Sequence, residues 1–107
     1  MKIAFVAAVV VTMPAFSPAI AQNANIETTL PPPSGETLGL NCVTCHGPAA
    51  KGEGAIPPLN TLTPEQITSA MQAFRTGARQ ATIMNRIAQG YSAEEDERVA
   101  HYLSGLK

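Results

Sequence analysis

The sequence predicts a small all-α domain of three to five helices, and three features predict it. No run of residues alternates apolar and polar side chains as a half-buried strand does. Two segments, Thr63-Pro64-Glu65-Gln66 and Ser92-Ala93-Glu94-Glu95, open with a capping hydroxyl followed three residues later by Gln or Glu. Each is the start of a capping box, in which hydroxyl and carboxylate or amide satisfy backbone N–H groups that a helix start leaves free. Behind both, apolar residues recur three and four apart, the spacing that puts them on one helical face.

The chain opens MKIAFVAAVVVTMPAFSPAIAQ. Lys2 precedes an apolar run, Ile3 to Val11; Pro14 and Pro18 follow, and then the small residues of Ala19-Ile20-Ala21. This is the layout of a secretory signal with an A-x-A cleavage site. The apolar run falls short of the ~20 residues that span a bilayer. Residues 1–21 are therefore expected to be a cleavable signal, against the alternative of an uncleaved anchor. The mature chain is expected to be periplasmic and to have no membrane span. Residues 22–33 (QNANIETTLPPP) are polar and then proline-rich, a flexible arm. Residues 34–107 form the domain.

Within it, Ser34 can cap a first helix from Gly35 to Cys45, although Gly35 and Gly39 weaken it. Gly47 to Asn60 is rich in Gly and Pro and reads as a loop. The second helix is capped by Thr63 and has proline at its first position. It carries Ile67, Ala70, Met71 and Phe74 on one face and stops at Gly77. A short apolar segment, Ile83 to Ala88, ends at Gly90. The last helix buries Val99, Tyr102, Leu103 and Leu106 and closes near Gly105. The acidic run Glu94-Glu95-Asp96-Glu97 reads as the solvated first turn of that helix.

Composition excludes some functions. The formal net charge is −1 and only 14% of residues are charged. No basic stripe is present to bind nucleic acid by counterion release. Aromatics make up 5% of the chain and Trp is absent. A domain this small with so few large side chains needs something else to complete its core.

The stretch LNCVTCHGPAAKGEG, residues 40–54, supplies a candidate. It holds both cysteines, Cys42 and Cys45, with His46 directly behind the second. Two thiols at this spacing on a helix lie about one turn apart, within reach of both vinyl groups of one haem. The following imidazole then faces the macrocycle and can ligate the iron. C-x-x-C-H is the attachment signature of c-type haem. A thioredoxin-type dithiol would need a βαβ context, which is missing. A structural zinc site needs four ligands, and beyond these three the only other imidazole is His101. A disulfide between positions 42 and 45 would close too small a loop to stabilise much. One covalently bound haem c is the expectation, and it would also fill the core.

For the second axial position the domain offers Met71, Met84 and His101. Met71 lies midway along the apolar face of a regular helix, where methionine is ordinarily core filler. His101 sits on the last helix with charged neighbours. Met84 lies between Gly77 and Gly90, where a loop or short turn can aim it, and it is the favoured ligand beside His46. The other nitrogen of His46 needs a partner to fix the ring. Of the loop residues Ile56-Pro57-Pro58-Leu59, the carbonyl of Pro58 is the expected acceptor, with Pro57 only shaping the loop.

The order of helix, C-x-x-C-H-G, proline-rich loop, amphipathic helix, Met and C-terminal helix with an aromatic resembles class I cytochrome c. The resemblance covers essentially the whole chain after the signal. It implies that the first and last helices cross, with Gly35 or Gly39 near Tyr102. It also implies that Pro58, twelve residues after His46, supplies the carbonyl. The stretch MQAFRTGARQATIMNRIAQGYSAEEDERVAHYLSGL is similar to the cytochrome subunit family of flavocytochrome c sulfide dehydrogenases. In that family the Met of a TIM-x-RIA-x-GYS segment binds the iron, and Met84 matches it. The single C-x-x-C-H departs from dihaem members.

The resemblance implies a one-electron carrier with no catalytic residues of its own. A flavoprotein sulfide dehydrogenase subunit would be its electron donor, and another cytochrome or an oxidase its acceptor. The alternatives are a free-standing shuttle of the same fold and an open-site haem enzyme or sensor. A permanent subunit needs an apolar docking patch, for which Ala49, Ala50, Ile56 and Ile83 are candidates.

Overall fold

The computed structural model describes residues 10–11 and 30–107. The expected signal segment and most of the arm lie outside the described residues. The chain divides into units Met1–Pro31 and Pro32–Lys107, and the second is the domain. It contains four α-helices: α1 Gly35–His46, α2 Pro64–Thr76, α3 Met84–Ile87 and α4 Ala93–Ser104. Single 3₁₀ turns stand at Pro48–Ala50 and Ala88–Gly90. Among the described residues the β pairing is one isolated bridge, Glu53 with Ile56. The all-α expectation holds.

The helix starts follow local chemistry. Ser34 Oγ accepts from the N–H of Thr37 at the start of α1. Thr63 with Gln66 and Ser92 with Glu95 form complete capping boxes at α2 and α4. Each satisfies two backbone N–H groups that would otherwise lack partners. Gly77 ends α2 in the left-handed conformation, with φ 78°, which costs glycine little. Gly105 follows α4 with φ −84°, so glycine's freedom is not what stops that helix.

Helix α4 packs against both α1 and α2. At the α1–α4 crossing, a methyl group on Gly39 would stand 2.5 Å from Cδ1 of the Tyr102 ring. One on Gly35 would stand 2.2 Å from the carbonyl oxygen of Arg98. Both glycines are needed where they lie, although each weakens α1 as an isolated helix. The core is Ala50, Ile67, Met71, Ala88, Val99, Ala100 and Leu103. Its largest fully buried side chains are only Leu103 and Val99.

The acidic run is not uniformly solvated. Asp96 is buried and pairs with Arg75 of α2, while Glu94 and Glu97 are exposed. Asp96 falls one residue past the capping Glu95, on the face of α4 that meets α2. Arg75 Nε also donates to the carbonyl of Ala88 at 3.2 Å. One guanidinium thus ties together α2, the turn after α3, and α4.

Candidate haem site

The first turn-and-a-half of the site is built on α1, whose last residue is His46. Cys42 is half-buried and Cys45 exposed, and no disulfide joins them. Burial is the main cause pushing the Cys42 thiol above its ordinary pKa, and the nearby Cys45 adds to it.

His46 is 7% exposed. Its Nδ1 lies 2.6 Å from the carbonyl oxygen of Pro57. A carbonyl can only accept, so Nδ1 carries a proton and donates, which in the neutral ring puts the lone pair on Nε2. This is the tautomer a metal-binding imidazole requires. The carbonyl belongs to Pro57 and not to the expected Pro58. The difference of one residue comes from the path of the loop between them. Ala49 and Ala50 both have φ 52°, and Gly52 has φ 85°. Glu53 and Ile56 exchange backbone hydrogen bonds at 3.0 and 2.9 Å, a tight turn. That turn lays the chain across Gly52, where a methyl group would meet Ile56 O at 2.8 Å and Pro58 N at 2.9 Å. The N–H of Gly52 donates to the His46 carbonyl at 2.7 Å, and Ala50 O accepts from Leu59 at 2.8 Å. The backbone on both sides of Pro57 is thereby pinned beside the imidazole.

Met84 is the first residue of α3 and is half-buried. It packs at the margin of the core, as Cys42 does. Met71 is buried within that core, and His101 is exposed on α4. The segment leading to Met84 hangs from the end of α2. Gln89 and Asn85 donate to α2 carbonyls, those of Arg75 and Phe74, at 2.8 and 2.9 Å. Arg79 lies over the Phe74 ring, 4.8 Å from its centroid, a cation–π contact that closes the loop over α2. Sequence reasoning passed over Asn85, Arg75 and Gly52. Only the glycine's place in a Gly/Pro-rich loop hinted at its role.

The residues present fit a haem. An imidazole held through Nδ1 stands directly behind two cysteines that no disulfide joins, all three on one helix. Leu59, Leu62, Phe74 and Met84 are only partly buried beside the core. Leu40, Ile56, Ile83 and Ile87 are exposed. That is ample apolar surface to enclose a large flat macrocycle.

The family model for cytochrome c matches residues 34–107. The chain belongs to the cytochrome c family. As a member of that family it carries covalently attached haem c and is an electron-transfer protein. It is 39% identical over 72 residues to the cytochrome subunit of sulfide dehydrogenase from Chlorobaculum tepidum, covering 67% of this chain and 66% of that one. It is 31% identical over 86 residues to cytochrome c-554(547) of Halothiobacillus neapolitanus, covering 69% of this chain and 94% of that one. It is 36% identical over 69 residues to a thiosulfate dehydrogenase electron acceptor of Stutzerimonas stutzeri, covering 61% of this chain and 32% of that one. The chain thus spans less than two thirds of the first and third relatives. Ala50, which sequence offered for a docking patch, is fully buried and Ala49 is half-buried; Ile56 and Ile83 are 39% and 50% exposed. Among the described residues no helix is long and apolar enough to cross a membrane.

Proposed function

We propose that this cytochrome is the monohaem subunit of a flavocytochrome c sulfide dehydrogenase and accepts single electrons from a flavoprotein partner. Residues 1–21 would direct its export to the periplasm and be cleaved off. Cys42 and Cys45 carry the thioethers, and His46 and Met84 are the axial ligands. The haem supplies the one-electron couple, and the chain supplies a fixed imidazole, a soft thioether and an apolar enclosure. A thioether ligand favours the ferrous state and raises the potential.

The observation that carries the site assignment is the 2.6 Å contact of a buried His46 Nδ1 with Pro57 O, which leaves Nε2 to the metal. Similarity to a cytochrome subunit of sulfide dehydrogenase supports the choice of partner. A second reading, a free-standing shuttle, is favoured by the match to cytochrome c-554(547), 94% of whose length is covered.

Untagged purification from the native host separates the two. The subunit reading expects a flavoprotein at one-to-one stoichiometry, and a monomer free of flavin would leave the shuttle. The ligands are tested by substitution. Met84→Ala should abolish the weak far-red band of Met–Fe(III) ligation, and Met71→Leu should leave it intact. Loss of the band in Met71→Leu alone would mean that the other methionine binds.

A further inference from the structure

We infer that Asn85 is the positioning residue that sets Met84 against the iron. The inference rests on the reading of Met84 as the axial ligand. Asn85 follows Met84 directly, and its side-chain amide bonds three backbone groups. Nδ2 donates to the carbonyls of Phe74 at 2.9 Å and Arg79 at 2.7 Å, and Oδ1 accepts from the N–H of Ala81 at 2.8 Å. Phe74 lies in the last turn of α2; Arg79 and Ala81 lie in the loop that leads to Met84. One side chain therefore fixes the whole approach to the ligand. The amide's orientation is fixed by the same set, since flipping it would turn Oδ1 toward two carbonyls.

Met84 itself packs on the core, and Gln89 and Arg75 anchor the chain after it, but among the side chains of the loop and α3 only Asn85 bonds both the end of α2 and the segment before Met84. Residues 77–83 are all exposed, so the loop gains little from apolar burial. Helix α3 has four residues and no side-chain bond at its start, and a helix that short is not stable by itself. An amide of this size offers two donors and an acceptor together, whereas a carboxylate keeps only the acceptor and alanine has neither. With the amide gone, Phe74 O, Arg79 O and the Ala81 N–H turn to water. Met84 then samples positions away from the iron.

The test uses the holoprotein and its Asn85→Ala, Asn85→Asp, Met84→Ala and Val99→Ala variants. Val99 is 1% exposed in the core and supplies none of the three groups that Asn85 bonds, so its truncation destabilises the fold while leaving that hydrogen-bond set in place. The readouts are the far-red band of the ferric protein and the rate of carbon monoxide binding to the ferrous protein. Both Asn85 variants should weaken the band and speed carbon monoxide binding on the order of tenfold or more, the effect of losing two or three hydrogen bonds. Val99→Ala should lower the unfolding midpoint and change neither readout. An Asn85→Ala protein with wild-type band and binding rate, whatever its midpoint, overturns the inference. So does a Val99→Ala protein that opens the iron equally. If Met84→Ala matches the wild type, the ligand reading itself is wrong and the inference goes with it. If Met84→Ala opens the iron and the Asn85 variants do not, only the inference is lost. Should Asn85→Ala not mature, Asn85→Asp and the wild-type Ala81 amide decide. That amide must resist hydrogen exchange if it is bonded, and rapid exchange counts against the proposal.

Discussion

The backbone of Gly39 lies against the ring of Tyr102, so closely that a methyl group would stand 2.5 Å from Cδ1. Ala favours a helix over Gly by ~1 kcal/mol, but at Gly39 the ring must move to admit it. Overpacking costs roughly 1–3 kcal/mol, so after the propensity gain Gly39→Ala should destabilise the holoprotein by a net of roughly 0–2 kcal/mol. Gly35→Ala should cost more, because the obstacle is the Arg98 carbonyl at 2.2 Å, and backbone yields less readily than a side chain. Denaturant titration of both variants checks the order.

The Arg75–Asp96 pair should respond unequally to loss of either partner. Asp96 is 4% exposed and Arg75 26% as side chains, and Asp96 Oδ1 has no hydrogen-bonding partner among the described residues. Removing Arg75 strands a buried carboxylate, which costs about 3–5 kcal/mol. Removing Asp96 leaves a guanidinium that can still reach water and still bonds the Ala88 carbonyl, so Asp96→Ala should cost less. The double variant should cost less than the two single losses together. Thermal unfolding of the three proteins measures it.

Ala49 should be improvable. Its φ of 52° lies in the left-handed region, which costs an L-residue roughly 1–2 kcal/mol. Glycine avoids that cost but loses about 0.5–1 kcal/mol in chain entropy. Ala49→Gly should thus raise stability by up to about 1.5 kcal/mol in denaturant titration, and Ala49→Val should lower it. Ala50→Gly should gain less, because Ala50 is fully buried and losing its methyl costs about 0.8 kcal/mol.

Glu65 gives an acid-side signature. Its carboxyl sits below the ordinary range, chiefly because its own backbone N–H favours the carboxylate; Thr63 and the charge of His101 add to this. A carboxyl lowered in the folded state contributes stability above its unfolded pKa and loses it as pH falls through the lowered value. Glu65→Gln should have a lower midpoint than wild type at neutral pH. The gap should close in acid. A gap that widens in acid contradicts the assignment.

Both capping boxes were legible because each is closed within four residues, where sequence spacing fixes geometry. The Gly35/Gly39–Tyr102 crossing was legible only through resemblance, since it joins chain ends. Asp96 and Arg75 were not legible: four acidic residues in a row differ only in which faces α2, and helical phase decides that. Pro57 was missed by one residue because the register depends on alanines holding a backbone conformation that composition does not announce. Asn85 was missed because its three partners are backbone groups, which leave no pattern in the sequence.

The two halves of the proposed iron site share a structural economy. His46 reaches Pro57 across eleven residues, and Asn85 reaches Phe74 across eleven. Each network takes its polar partners from one short stretch of chain, residues 46–57 on one side and 74–85 on the other, so each is a separable cassette. Exchanging residues 77–85 together with Phe74 would carry the entire Asn85 hydrogen-bond set along and leave the imidazole side untouched. Redox potential can then drift through one cassette while haem attachment stays under the control of the other, with the α1–α4 clasp keeping the two in register.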